Sequence, residues 1–341
     1  MSPFSPFLRP LLDRLPEALA DAETRGTMLA TASLLPGGFA FQTFGFECPL
    51  HDAAAKADLL VSAVRARGGA ALLSEIERRP GWEPVGRLAA MLGAEPAEID
   101  EVWLEFDIEG PAPDLPNMFC RPLYPHGDLE ALRASADAAG SALAGAAIPD
   151  ALLDALVRSA AALPERAEIF QIGAMRARPS AGLRICINQI ALDGILGALE
   201  EMGYEDVEGV RALLIRYQRA VGDVALAIDL MPELGAKIGL ECYFAPSRSG
   251  RSPGELLDLF LSRLDEDGAC IAGKAEALRA FPGTATIDEG GGWPPELLVT
   301  GKLLGPERMG RFDLDIHHIK LVHRPGERLE AKAYLSVRHR L

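Results

Sequence analysis

The sequence has no apolar run long enough to cross a bilayer. Its amino terminus, MSPFSPFLRPLLDRLPEALADAE, is broken by Pro, Arg and Asp where a signal peptide would keep an unbroken apolar stretch. A cytoplasmic location without a membrane partner is therefore expected. Basic residues are in deficit: 34 Lys and Arg stand against 49 Asp and Glu, a net charge of −15. That balance argues against nucleic acid as a partner. The five cysteines, Cys48, Cys120, Cys186, Cys242 and Cys270, are dispersed and odd in number with no CxxC pair, which argues against a disulfide framework or a zinc knuckle. No phosphate-binding Gly loop and no aspartate-rich magnesium signature is present. Four of the six histidines, His317, His318, His323 and His339, lie near the end. Strict alternation would send His317 and His323 to one face and His318 to the other, so they do not meet at one metal. The expectation is no metal and no cofactor.

What the sequence does have is alternation with period two. In FGFECPL, Phe44, Phe46, Cys48 and Leu50 oppose Thr43, Gly45 and Glu47. In VWLEFDI, Val102, Leu104, Phe106 and Ile108 oppose Trp103, Glu105 and Asp107. GLRICINQI sets Leu183, Ile185 and Ile187 against Arg184, Cys186 and Asn188, and KIGLECYF sets Ile238, Leu240, Cys242 and Phe244 against Lys237, Gly239, Glu241 and Tyr243. Near the end, His318 and Lys320 oppose Ile319 and Leu321, while Lys332, Tyr334, Ser336 and Arg338 oppose Ala331, Ala333, Leu335 and Val337. Such segments are strands with one apolar and one polar face. Further strands are expected at 117–123, 168–175 and 224–231. Helical patterns at 51–67, 128–145, 148–162, 191–202, 207–221 and 253–267 lie between them, several closed by Gly, as at Gly203 and Gly268. After residue 100 the order is strand pair, two helices, strand pair, repeated. The stretch 281–312, rich in Gly and Pro, reads as an irregular excursion.

Strand pairs joined by short turns are antiparallel, and helices between successive pairs can cover one face. The polar face then looks either into solvent or into a closed barrel. It carries Phe41, Trp103, Met175, Tyr243 and Tyr334 among its charges, the mixture of a ligand cavity, and closure removes sheet edges. The expected fold is α+β: one repeat-built domain over 1–341, an antiparallel ten-stranded β-barrel with helices outside and a polar lumen.

This order of elements over most of the chain, with Lys332-Ala333-Tyr334 in the last strand, resembles the ABBA or PT-barrel family of aromatic prenyltransferases. Their barrels are ten antiparallel strands in repeated αββα units, and they use a Lys-x-Tyr pattern to bind an isoprenoid diphosphate and shield an allylic cation. The resemblance implies an isoprenoid diphosphate as co-substrate, Lys332 on it and Tyr334 beside its cation. The other units depart from the pattern, offering Arg184-Ile185-Cys186 and the looser pair Lys237 and Tyr243.

Read as chemistry, clustered cations can stabilise a diphosphate leaving group in a water-poor site, and a carboxylate can take a proton from an aromatic nucleophile. The candidate catalytic residues are Glu47, Glu105 and Glu241, which share a local phrase in FGFEC, VWLEFD and IGLEC. The candidate substrate-binding residues are Arg184, Lys237, Tyr243, Lys320, Lys332, Tyr334 and Trp103. The expected function is prenyl transfer to a small aromatic or peptide acceptor. The alternatives are another enzyme of this barrel type that modifies a peptide in natural-product biosynthesis, and a noncatalytic ligand-binding protein.

Overall fold

A computed structural model describes residues 2–77, 79–108, 115–176, 182–231, 234–245, 250–288, 291–304 and 310–340. Four units of two helices followed by two strands run in succession. The first holds α1 (Ser5–Leu12), α2 (Ala22–Ala32), β1 (Thr43–Pro49) and β2 (Asp58–Val64). The second holds α3 (Gly69–Ile76), α4 (Glu83–Gly93), β3 (Ile99–Phe106) and β4 (Asn117–Pro122). The third holds α5 (Leu129–Ala144), α6 (Asp150–Ala161), β5 (Glu168–Ala174) and β6 (Leu183–Asn188). The fourth holds α7 (Leu192–Glu201), α8 (Val207–Tyr217), β7 (Asp223–Leu230) and β8 (Leu234–Tyr243). A last unit begins with α9 (Pro253–Glu266) and α10 (Ala272–Ala280), interposes β9 (Gly283–Thr286) and α11 (Pro295–Leu304), and ends on β10 (Arg311–His323) and β11 (Glu330–Arg340).

All strand pairings are antiparallel, in the order β11-β1-β2-β3-β4-β5-β6-β7-β8-β10, and β10 pairs back onto β11. The ten-stranded barrel is thereby closed. β9 lies outside the ring, on the first half of β10 at Arg311–Leu314, where β8 has already left that strand. Alternation explains the layers: Phe44, Phe46, Leu104, Ile185, Leu240 and Val337 point outward and are buried beneath the helices. Phe260 of α9 packs there edge-on to Phe244, with ring centroids 5.3 Å apart. Burying each such ring contributes about 1.5–3 kcal/mol. Helix ends carry local signals, among them the capping box of Ser252 and Glu255 on α9 and Asp128 accepting from the Ala131 amide on α5. Gly203 and Gly268, after α7 and α9, both have positive φ, at 77° and 63°.

The structure corrects the sequence reading in the first unit and in 281–312. Residues 51–67 are not an α-helix, only Arg65–Arg67 forming a 3-10 turn. Ala-rich HDAAAKA is irregular, and Asp58–Val64 is the strand β2. The inward residue Leu60 is apolar, so DLLVSAV shows a continuous apolar run in which period two is hidden. The helices α1, α2, α3, α4, α10 and α11 were not anticipated. The 281–312 stretch contains β9 and α11, and its residues 289–290 and 305–309 lie outside those described. No helix among the described residues is long and apolar enough to cross a membrane.

Candidate functional site

The barrel encloses a lumen of about 490 Å³, within the range of small-molecule pockets. It widens at the end where β1 begins and β3 begins. Thr43, Glu101, Arg121, Asp223 and Arg338 line that mouth, Arg121, Asp223 and Arg338 being exposed. The opposite end, where β1 meets the start of β2, is the floor. One wall is aromatic. Trp103 of β3 pairs across the sheet with Phe119 of β4, whose ring lies over Gly173 of β5. A Cβ at Gly173 would come within 2.2 Å of that ring, so the glycine makes the space that Phe119 occupies. Phe170 completes the wall.

The inward charges are held in pairs near the floor. Arg184 donates twice to Asp229, at 2.7 and 3.1 Å, and Lys237 reaches the same carboxylate at 3.2 Å. Burial would raise Asp229, but these two cations hold it down at about 2. Burial together with the neighbouring Arg184 and Lys320 pulls Lys237 down to about 8, even though Asp229 favours its charged form. Lys320 donates to Glu241 at 3.1 Å and Tyr243 donates to the other oxygen at 3.2 Å. Burial alone would raise Glu241. Lys320 chiefly holds it at about 2. Lys332 and Tyr334 both donate to Glu47. Burial and the Glu47 charge push the Tyr334 phenol well above its ordinary value.

Behind Glu105, the carboxylate oxygens of Glu47, Asp58 and Glu105 lie within 4.8 Å of one another, the one group of three potential metal ligands among the described residues. Burial and the Glu47 charge raise Asp58 to about 8, while its Oδ1 accepts from the Ile108 amide at 2.9 Å. A protonated Asp58 can donate to a neighbouring carboxylate, so the cluster is consistent with shared protons.

Of the ten residues singled out by sequence, Trp103, Glu105, Arg184, Glu241, Tyr243, Lys320 and Tyr334 line the lumen directly. Glu47, Lys237 and Lys332 stand behind that lining, joined to it through Tyr334 and Asp229. Phe41 and Met175 do not line it: Phe41 is 44% exposed and packs edge-on against Phe7 and His339 outside the ring, and Met175 is buried past the end of β5. His317 was expected outside and lies inside. A β-bulge between Ile316 and His318 breaks the alternation, so both histidines reach the lumen. A second bulge, between Ile169 and Gln171, does the same for Phe170 and Gln171. Neither bulge carries a Gly or other signal in the sequence. The sequence reading also missed Phe119 and Arg121, although NMFCRP alternates plainly enough to show them, and Asp58, concealed in the supposed helix.

No family model matches the sequence, and no curated protein matches it. Solved structures do resemble it in shape. The 5-dimethylallyltryptophan synthase from Streptomyces coelicolor is 12% identical with a TM-score of 0.58, covering 98% of this chain and 97% of that one. The prenyltransferase PriB, in its apo form, is 13% identical with a TM-score of 0.57 over 98% and 96%. The 6-dimethylallyltryptophan synthase from Micromonospora olivasterospora, in complex with DMASPP and Trp, is 14% identical with a TM-score of 0.55 over 98% and 97%. The chain has the PT-barrel fold of these aromatic prenyltransferases.

Proposed function

We propose that the protein is an aromatic prenyltransferase that moves an allylic group from a diphosphate donor to an aromatic acceptor inside the lumen. The observation that carries this reading is the gathering of Arg184, Lys237 and Lys320 on β6, β8 and β10, the first two sharing Asp229 and the third bonded to Glu241, where burial and then the neighbouring cations pull Lys237 down to about 8. A multiply charged anion relieves that repulsion. The aromatic wall across the lumen suits a flat acceptor, and the solved neighbour crystallised with DMASPP and Trp shares this fold.

In the proposed reaction the allylic C–O bond breaks and its electron pair leaves with the diphosphate, stabilised by the three cations. Tyr334 and Tyr243 border the carbocation, which is drawn to their ring faces. Glu105 lines the cavity and accepts a hydrogen bond from the acceptor's N–H or O–H, which enriches the ring. Glu241 and Glu47, each occupied by a Lys and a Tyr, instead fix the cations and tyrosines in place.

The test is calorimetry with dimethylallyl diphosphate, followed by product analysis with L-tryptophan, L-tyrosine, a dihydroxynaphthalene and short aromatic peptides, each with and without chelator. The wild type should bind the donor and form prenylated product in chelator. Lys237→Met and Lys332→Ala, whose ammonium groups stand behind the lining and act through the field, should each weaken donor binding by less than about 1.5–3 kcal/mol, the worth of a direct hydrogen bond to a charged group. No donor binding by the wild type rejects the reading, and product confined to the peptides moves the acceptor class from small molecule to peptide.

A further inference from the structure

The bulge on β10 makes His317 the extra residue between Ile316, opposite Leu335, and His318, opposite Tyr334. The Nδ1 atoms of the two rings lie 2.8 Å apart, so one donates and the other accepts. The His318 ring is stacked on Tyr334 with centroids 4.3 Å apart and tilted against Tyr243 at 5.1 Å. His318 is only 6% exposed, yet its edge lines the cavity, and its Nε2 has no hydrogen-bond partner among the described residues. A buried polar atom left without a partner calls for an explanation, and catalysis is one. His317 also lines the cavity, and in contrast its surface is exposed. Its ring meets Tyr243 edge-on at 5.5 Å.

We propose that His318 and His317 form a two-imidazole wire that carries the ring proton of the acceptor from the lumen to water at the mouth. The inference rests on the prenyltransferase reading and sharpens it, because only an acceptor attacked at a ring carbon has such a proton to lose. Once the new C–C bond has formed, that carbon holds both the prenyl group and its hydrogen. The C–H bond breaks and its electrons return to the ring. The proton goes to His318 Nε2, the Nδ1 proton of His318 crosses to His317 Nδ1, and the Nε2 proton of His317 passes to water. Both rings begin and end neutral with their tautomers exchanged, and the reverse shift with water at either end resets them.

The pairing answers a difficulty that a single histidine would face. Burial pushes His318 down to about 3 although the Glu241 charge favours its protonation, so a proton resting there is costly. In the wire the proton does not rest there but passes on to His317, which burial and Arg338 also disfavour as a cation, and from that exposed residue to water. The carboxylates nearby are poorly placed to replace it, since Glu241 is held at about 2 and Glu47 is engaged by Lys332 and Tyr334.

The experiment compares wild type, His318→Phe and His317→Phe with dimethylallyl diphosphate and the acceptor of the panel that the wild type prenylates at carbon, in ordinary and ring-deuterated form. Both variants should lose roughly 10²-fold in kcat, the usual contribution of positioned proton transfer, with KM for either substrate little changed. A primary isotope effect from ring deuterium should appear in the variants and be near 1 in the wild type. His317→Phe alters an exposed ring, so it decides the question should His318→Phe fold badly. In the wild type, nitrogen-15 NMR should show scalar coupling between the two Nδ1 atoms across their hydrogen bond. Unchanged kcat without an isotope effect in His317→Phe overturns the wire and leaves the prenyltransferase reading standing. A wild type that prenylates no ring carbon overturns the wire, and one that makes no prenylated product at all overturns both.

Discussion

The floor pairs each of its inner cations with a carboxylate, whereas the mouth bridges Arg121 to Asp100 and Glu101 but leaves Arg338 and Asp223 outside any ion pair among the described residues. At the floor, Arg184, Lys237, Lys320 and Lys332 are each held by a carboxylate. At the mouth, Arg338 lines the cavity, exposed and without a side-chain hydrogen bond or ion pair among the described residues, and Asp223 of β7 is likewise exposed and unpaired with any cation. The difference follows from water. A charge withdrawn from solvent is expensive unless it is neutralised, whereas a charge at the rim keeps its hydration and can exchange it for a ligand. Floor charges therefore set the field that an anionic ligand group deep in the lumen would feel, and mouth charges are the first to meet whatever enters.

The largest break in this comparison should come from Lys320→Ala. The side chains of Lys320 and Glu241 are 7% and 8% exposed, and the Lys320 stem lies over Gly239, where a Cβ would stand 2.3 Å from its Cε. Removing the ammonium strands a buried carboxylate, which costs about 3–5 kcal/mol. Urea unfolding should show that loss, and the double change Lys320→Met with Glu241→Gln should recover most of it. A loss under about 1 kcal/mol in the single variant would mean that the floor is as well hydrated as the mouth.

A smaller effect is a slope rather than a loss. Asp58 sits with Glu47, Glu105 and Asp107 facing it, and is raised from 3.8 to about 8. Between those values the folded chain keeps a proton that the unfolded chain releases, so the stability this group contributes is complete below the lower value and drains away as pH rises toward the upper one. Asp58→Asn should flatten that decline, gaining on the wild type by at least about 1 kcal/mol between pH 5 and pH 8, since a tenfold change in proton affinity is worth about 1.4 kcal/mol. Parallel urea titrations of the two proteins across that range measure it. Parallel curves would show that the carboxyls behave as separate solvated groups.

The barrel was legible in the sequence because its inner and outer faces differ in polarity on most strands. Glu47, Glu105, Arg184, Glu241, Lys320 and Tyr334 were all placed on the inner face by counting alternate residues. Three physical situations defeated that count. In β2, Leu60 faces inward, so hydrophobicity no longer marks the face, and the adjoining alanines favour a helix. At His317 and Phe170 a bulge adds one residue, and a bulge is chosen by the fit of neighbouring strands, which local sequence does not record. Partnership is the third. The inner cations were visible as a set, but that Lys332 and Tyr334 share Glu47 while Arg184 and Lys237 share Asp229 depends on register between strands far apart in the chain.

The smallest effect belongs to Arg338. It stands opposite Thr43 on β1 and opposite Asp313 on β10, and Asp313 is taken by Arg311 and Arg340. Loss of its charge strands no buried group, so Arg338→Gln should change unfolding free energy by no more than about 0.5 kcal/mol. Its influence should fall on what enters. If the acceptor carries a carboxylate, an exposed guanidinium at the rim adds about 0.2–1 kcal/mol to its binding, and salt screens that contribution. Calorimetry with L-tryptophan and with tryptamine, which lacks the carboxylate, separates this from ring binding. Arg338→Gln should bring the affinities of the two closer together at low salt, and high salt should bring the wild type to the same point. Dimethylallyl diphosphate, seated among the floor cations, should bind the variant as it binds the wild type. A variant that loses the donor instead would place the diphosphate at the mouth and reverse the assignment of the two ends.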